Sequence, residues 1–200
     1  MSETELIKQA KAGDFSAFAE LVNANKSKIY ALALKMTANP DDAEDIVQET
    51  FLKAIDKIDQ FREESSFGTW LYSIALNESR AHLGKQKHAD LKPIEEYLPT
   101  KSADDLHQGN NHQLFDWKDP HQELEEDELR KIIQEVIDEL PLKYKEVFLL
   151  RYYEELSIKE IAKIINETIA STKSRVLRAR LAIRDQLSTI FEDRYGKKVS

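Results

Sequence analysis

The sequence predicts an all-α protein, two small helical domains joined by a flexible acidic linker. Three observations carry that expectation. Apolar residues recur at three- and four-residue steps through most of the chain. No segment alternates convincingly at period two, so no strand is expected. Between residues 88 and 120 the periodicity stops, and Pro93, Pro99, Gly109, Asn110, Asn111 and Pro120 punctuate a polar, acidic stretch. The expected divisions are therefore 1–87, 88–120 and 121–200.

Each element follows from its residues. A short helix over 3–12 is ended by Gly13. A second, from about Ser16 to Met36, carries Phe18, Leu21, Val22, Ile29, Leu32, Ala33 and Met36, a stripe interrupted near Asn25. Asn39-Pro40 is an N-cap followed by the proline favoured at the first helical position. The stripe after it, Ala43, Ile46, Val47, Thr50, Phe51, Ala54, Ile55, Ile58, lasts four turns. A fourth helix opens near Ser65 or Ser66 and turns Phe67, Trp70, Leu71 and Ile74 inward. The spacing of Trp70 from Phe67 and Ile74 favours core packing over ligand contact. Beyond the linker, helix resumes at about His121 with the stripe Leu129, Ile132, Ile133, Val136, Ile137, Leu140, and Pro141 starts a fresh helix through Tyr153. Ser157-Ile-Lys-Glu160 is a capping box opening one short amphipathic helix. Asn166-Glu-Thr168 makes a tight turn, Thr168 caps the last helix, and Thr172, Val176, Ala179, Ile183 and Leu187 form its buried side.

Composition narrows the function. The 200 residues are 41% hydrophobic, enough for modest cores. With no cysteine, thiolate zinc sites, disulfide scaffolds and thiol catalysis are excluded together. Met1-Ser-Glu-Thr-Glu lacks the basic-then-apolar pattern of a secretory signal, and the longest apolar runs, 29–34 and 147–150, are too short to span a bilayer. A cytoplasmic protein without a membrane segment is expected. The net charge of −8 argues at face value against nucleic-acid binding, but the charge is segregated. Residues 41–64 carry −6, 88–129 carry −9 and 173–198 carry +5, so different segments face different partners.

The C-terminal pattern of short helix, three-residue turn and basic second helix is a helix-turn-helix layout, whose second helix enters the major groove. That helix shows Ser171, Lys173, Ser174, Arg175, Arg178 and Arg180, residue types that pair with guanine edges and phosphates. Leu177 lies beside them, placed for a thymine methyl. The alternative is an ordinary helical hairpin with a solvated basic face. On the third helix Asp45, Gln48, Glu49, Leu52 and Asp56 share the side away from the core. They read either as an apolar anchor in an acidic docking site for a basic partner or as one scattered exposed leucine. The outward side of the fourth helix presents Thr69, Tyr72, Ser73, Asn77 and Arg80, then Lys85 and Lys87, a mixture that suits unstacked nucleotides. The polar loop Phe61-Arg62-Glu63-Glu64-Ser65-Ser66 is of a size to hold an extruded base. Asp41-Asp-Ala-Glu-Asp45 matches a magnesium-binding pattern, but a helix N-terminus favours acids anyway and no second acidic motif follows. Histidines 82, 88, 107, 112 and 121 are irregularly spaced, so no metal site is expected, and no Gly-rich loop offers a nucleotide cradle or suggests a cofactor.

Asp42-Ala-Glu-Asp-Ile-Val-Gln-Glu-Thr-Phe-Leu52, Phe61-Arg and Ser66-Phe-Gly-Thr-Trp-Leu-Tyr72 resemble region two of the extracytoplasmic-function (ECF) subfamily of bacterial sigma-70-type RNA polymerase sigma factors. Leu140-Pro-Leu-Lys-Tyr-Lys-Glu-Val-Phe-Leu-Leu-Arg-Tyr152, Leu156-Ser-Ile-Lys-Glu-Ile-Ala162 and Thr172-Lys-Ser-Arg-Val-Leu-Arg-Ala-Arg180 resemble region four. The resemblance spans about 3–87 and 121–187. It implies a non-enzymatic subunit that binds core RNA polymerase and promoter DNA to initiate transcription. Asp45, Gln48, Glu49 and Leu52 would then meet the polymerase clamp. Phe61, Arg62, Ser65, Ser66, Tyr72, Asn77 and Arg80 would capture the single-stranded −10 element. Ser171, Lys173, Ser174, Arg175, Leu177 and Arg178 would read the −35 duplex, with Arg151 on a phosphate. It also implies a possible anti-sigma factor as partner. The sequence departs from the family at Ile169-Ala-Ser-Thr172, where Thr172 replaces an apolar residue, and at Gly84-Lys-Gln-Lys87, where arginines are usual. The acidic linker is expected to shield the basic helix before assembly. Two other classes fit the residues alone: a stand-alone helix-turn-helix regulator, and a magnesium enzyme using Asp41–Asp45.

Overall fold

A computed structural model describes residues 1–87 and 120–195, with side chains described for 1–84 and 128–192. The linker, the shielding expected of it, and His88, His107 and His112 lie outside the described residues, as do the side chains of Lys85, Lys87 and His121. The described residues form eight α-helices and no strand.

In the N-terminal half, α1 (Glu3–Lys11), α2 (Phe15–Thr37), α3 (Pro40–Asp56) and α4 (Phe67–Lys87) pack together. Each start has a local cause. Asp14 accepts from the Ser16 and Ala17 N–H groups at 2.8 and 3.2 Å and opens α2. Asn39 accepts from Asp41 and Asp42 at 2.9 and 3.3 Å, with Pro40 at the start of α3. Gly13, at φ 92°, makes the reversal after α1 in a region where a side chain would be strained. Ile29, Leu32, Ala33, Phe67, Leu71 and Leu76 form a solvent-free centre. The third stripe leaves the helix before its end: α3 stops at Asp56, and a 3-10 turn, Ile58–Gln60, brings Ile58 inward.

The interruption at Asn25 is a buried polar position. Its amide donates to the Leu21 carbonyl at 2.8 Å, and a Cβ added at Gly68 would lie 2.9 Å from its Oδ1. Gly68 is thus what lets α4 approach α2 at this side chain. Trp70 packs against Phe61 and Phe67, with ring centroids 5.1 and 5.5 Å away. Phe61 corrects the sequence reading. Instead of standing in a polar loop for a base, its ring is buried against Phe67 at 5.7 Å, edge to face.

The C-terminal half comprises α5 (Pro120–Asp138), α6 (Leu142–Tyr152), α7 (Ile158–Ile164) and α8 (Ile169–Tyr195). Ile137, Val147, Leu149, Leu150, Ile161 and Ala179 are wholly buried in it. Both arms of the capping box form: Glu160 N–H donates to Ser157 Oγ at 3.3 Å, and Ser157 N–H donates to Glu160 Oε2 at 2.8 Å. Asn166 takes a left-handed φ of 55° in the turn, and Thr168 accepts from Ser171 N–H at 3.1 Å to start α8. The helix continues through Tyr195, into the segment after Phe191 to which the sequence assigned no role.

The halves also pack on each other, α2 against α6 and α4 against α7. Lys145, nearly buried, donates to the Met36 carbonyl at 3.3 Å and pairs with Asp138 at 2.7 Å. The ammonium of Lys35 lies 4.0 Å from the Tyr153 ring centroid.

Candidate nucleic-acid interface

Three helical faces carry the residues singled out by sequence. On α3, Asp45, Gln48, Glu49, Leu52 and Asp56 are all exposed, and Leu52 shows 59% of its surface. The nearby base is turned aside: Lys53 Nζ reaches Glu78 on α4 at 2.5 Å and Glu49 at 3.6 Å. The hydrogen bond to Glu78 holds this ammonium above its ordinary range, against the opposing effect of desolvation. Leu52 therefore stands among acceptors, with the neighbouring cation directed across to α4.

On α8, Lys173, Ser174, Arg178 and Arg180 are exposed, while Ser171 and Leu177 are half-buried beside them. Thr172 is wholly buried, and its hydroxyl donates to the Thr168 carbonyl at 2.9 Å, which is how a hydroxyl is tolerated at an inward position. Arg175 is drawn off the open face: it pairs with Glu167 and lies 3.7 Å from Glu146. Arg151 is likewise engaged, donating to the Leu156 carbonyl at 2.8 Å across the turn between α6 and α7.

The α4 face corrects the expectation of an outward surface. Thr69 and Tyr72 are each only 5% exposed: Thr69 is bonded to Ser66 within its own half, and Tyr72 reaches Glu154 of the C-terminal half. The Tyr72 hydroxyl donates to Glu154, and burial together with that carboxylate holds the phenol above its usual range. Arg80 donates to Glu146 from Nε at 2.8 Å and stands 2.7 Å from the same oxygen through Nη2. Asn77 stays exposed and accepts from Arg80 at 3.2 Å. In the preceding loop Arg62 and Ser66 are exposed and Ser65 half-buried, and Ser66 Oγ accepts from Thr69 N–H at 3.1 Å. A cleft of about 200 Å³ lies between this loop, Trp70 and Lys163. A second, of about 430 Å³, joins Asn25, Lys28, Thr69 and Tyr72 to Tyr153, Glu154 and Leu156.

Glu146, Glu154 and Lys163 were given no role by the sequence. Glu146 left one trace: Lys145-Glu146 interrupts an α6 segment, 144–147, that is buried on every side. Such a pair signals an internal ion partner rather than a wet face. Asp42, in the magnesium-like cluster, lies 3.0 Å from His82 on α4. Among the described residues, no three acids or histidines are grouped to hold a metal ion.

Residues 21–89 match the family profile of Sigma-70 region 2, and residues 130–183 match that of Sigma-70, region 4. Over 182 residues the chain is 39% identical to the ECF RNA polymerase sigma factor SigW of Bacillus subtilis, covering 90% of this chain and 94% of the relative. The chain belongs to the ECF RNA polymerase sigma factors. The sigma factor is also 32% identical over 190 residues to the ECF RNA polymerase sigma-E factor of Haemophilus influenzae, covering 95% of this chain and 97% of that one. Its fold is similar to that of CnrH, solved in complex with the cytosolic domain of CnrY, at a TM-score of 0.64, 21% identity and coverage of 94% and 97%. It is similar too to RpoE from Bartonella quintana, solved in complex with the anti-sigma factor NepR, at 0.60, 22% identity and coverage of 86% and 96%. The helix-turn-helix of the sigma factor, α7 and the first part of α8, thus lies within region 4, and α3 and α4 within region 2. Among the described residues no helix is long and apolar enough to cross a membrane.

Proposed function

We propose that this sigma factor docks on bacterial core RNA polymerase through α3 and chooses promoters with two DNA-reading surfaces, acting by binding rather than catalysis, in the cytoplasm. The observation that carries the reading is Leu52, exposed at 59% on the same face as Asp45, Gln48 and Glu49. An apolar anchor ringed by acceptors fits a basic protein surface, and no duplex would accept that ring of charge. Lys173, Ser174 and Arg178 read the −35 duplex, flanked by Ser171 and Leu177. Arg175 joins them once released from Glu167, and Arg151 once released from the Leu156 carbonyl. Arg62, Ser65, Ser66, Tyr72, Asn77 and Arg80 capture the −10 strand, with Phe61 packed behind the loop as its support. The working divisions are 1–87 for docking and −10 capture, 88–120 as linker and 121–200 for −35 reading. An anti-sigma partner, like the one named with RpoE from Bartonella quintana, would silence the factor by covering α3 or α8.

The test is reconstitution. Purified protein is mixed with sigma-free core polymerase and a supercoiled promoter library, and transcription is scored against Leu52→Arg. The substitution is expected to abolish core binding while leaving helicity unchanged. Normal core affinity in that variant, or tight operator binding that needs no polymerase, refutes the docking face.

A further inference from the structure

Arg175 stands at the edge of the recognition face. Along α8 it follows Ser171 by four residues and precedes Arg178 by three, yet it lies three residues from Thr172 and four from Ala179, both wholly buried. A side chain on that flank meets the turn before α8 rather than the open side. There its guanidinium pairs through Nη2 with Glu167. Its Nη1 stands 3.7 Å from Glu146, whose other oxygen is taken by Arg80 at 2.7 Å. Glu167 is therefore the close partner, and the backbone fixes its position. Its N–H donates to the Ala162 carbonyl at 2.9 Å, Asn166 before it takes the left-handed φ of 55°, and Thr168 after it caps α8.

A recognition helix in the major groove has base edges in front of it and a phosphate row on each flank, and the helix before it crosses the backbone. Ser174 and Arg178 point to the front. Arg175 and the turn at 166–168 lie on the α7 side, toward a phosphate row. We propose that Glu167 is a positioning residue that withholds Arg175 from the DNA phosphates, leaving the exposed cations of α8 to set the grip on the −35 duplex. While the arginine stays on Glu167, its charge is neutralised within the protein. Once it leaves, an unpaired carboxylate faces the same phosphates. Either way the duplex has one phosphate fewer neutralised, and counterion release falls by one. Affinity is lowered for every sequence alike, because phosphate contacts carry no sequence information. The idea rests on the −35 reading of α8 given above.

The full chain is titrated onto two labelled duplexes, a −35 sequence selected by the holoenzyme and its scrambled version, over a range of salt. Glu167→Gln is compared with the parent and with the control Glu155→Gln, which removes the same charge from an exposed turn. Relative to the control, Glu167→Gln is expected to bind both duplexes more tightly. That gain should be about threefold larger at ~50 mM than at ~200 mM salt, the change for one added phosphate contact. Glu167→Ala should behave alike, which keeps the test valid if the amide disturbs the turn. Adding Arg175→Ala to Glu167→Gln should return affinity and salt dependence to those of the parent. No gain beyond the control, a gain that survives the loss of Arg175, a gain insensitive to salt, or one confined to a single duplex overturns the proposal. A failed α8 reading shows separately, as unchanged duplex binding by Lys173→Ala combined with Arg178→Ala.

Discussion

Two helices of the sigma factor carry the residues proposed above to bind DNA and present them differently. Along α8, Lys173, Ser174, Arg178 and Arg180 meet solvent. Along α4, Thr69 and Tyr72 are covered and Arg80 is ion-paired. The difference lies in the neighbour, since α8 buries only its Thr172–Ile183 side while α4 packs on α2 and α3 and also meets α7. Residue type alone therefore says what a face can bind, and packing says whether it is available.

The largest effect should come from the open face. Lys173→Ala combined with Arg178→Ala should lower transcription from −35-dependent promoters about a hundredfold, taking about 1–3 kcal/mol per lost base contact. Unfolding should stay unchanged, and equal transcription by the double variant would remove α8 from promoter choice. On the covered face, Gly68→Ala pushes a Cβ against Asn25 and should cost about 1–3 kcal/mol in denaturant unfolding, the range for overpacking. Isolated −35 duplex binding should not change. The penalty should shrink in an Asn25→Ala background, because the two side chains compete for one space. A penalty that adds fully would mean the strain lies elsewhere.

The smallest effect should come from the capping box before the recognition helix. Glu160→Gln should destabilise by about 0.5–1 kcal/mol at neutral pH. Hydrogen bonds from Ser157 hold the Glu160 carboxyl below its ordinary 4.5, so the charged form is favoured on folding. Its advantage over Gln is accordingly present above that value and fades as the pH falls through and below it. Unfolding curves of the two proteins between pH 3 and 7, a span of about 4 units, check the sign, and a gap that widens on acidification contradicts it.

Legibility followed range. The Ser157–Glu160 box, the Asn39-Pro40 start and the Thr168 turn were readable because each partner lies within three or four residues. The exposed set on α3 was readable because helical periodicity places both its faces at once. Phe61 was misplaced because a polar neighbourhood in sequence says nothing of the aromatic pocket formed by Phe67 and Trp70. The outward face of α4 was read correctly as polar and wrongly as free.

By itself the amino-acid order determined the helices, their caps, which side of each is apolar and which faces carry charge, since all of these arise from steric and hydrogen-bonding rules acting over one or two turns. Only the tertiary structure decided that Arg80 meets a carboxylate 66 residues away. It also decided that Tyr72 meets Glu154 in the turn between α6 and α7 and that Arg175 is shared between Glu167 and Glu146. Those are pairings between outward faces, and periodicity carries no information about which two such faces will find each other.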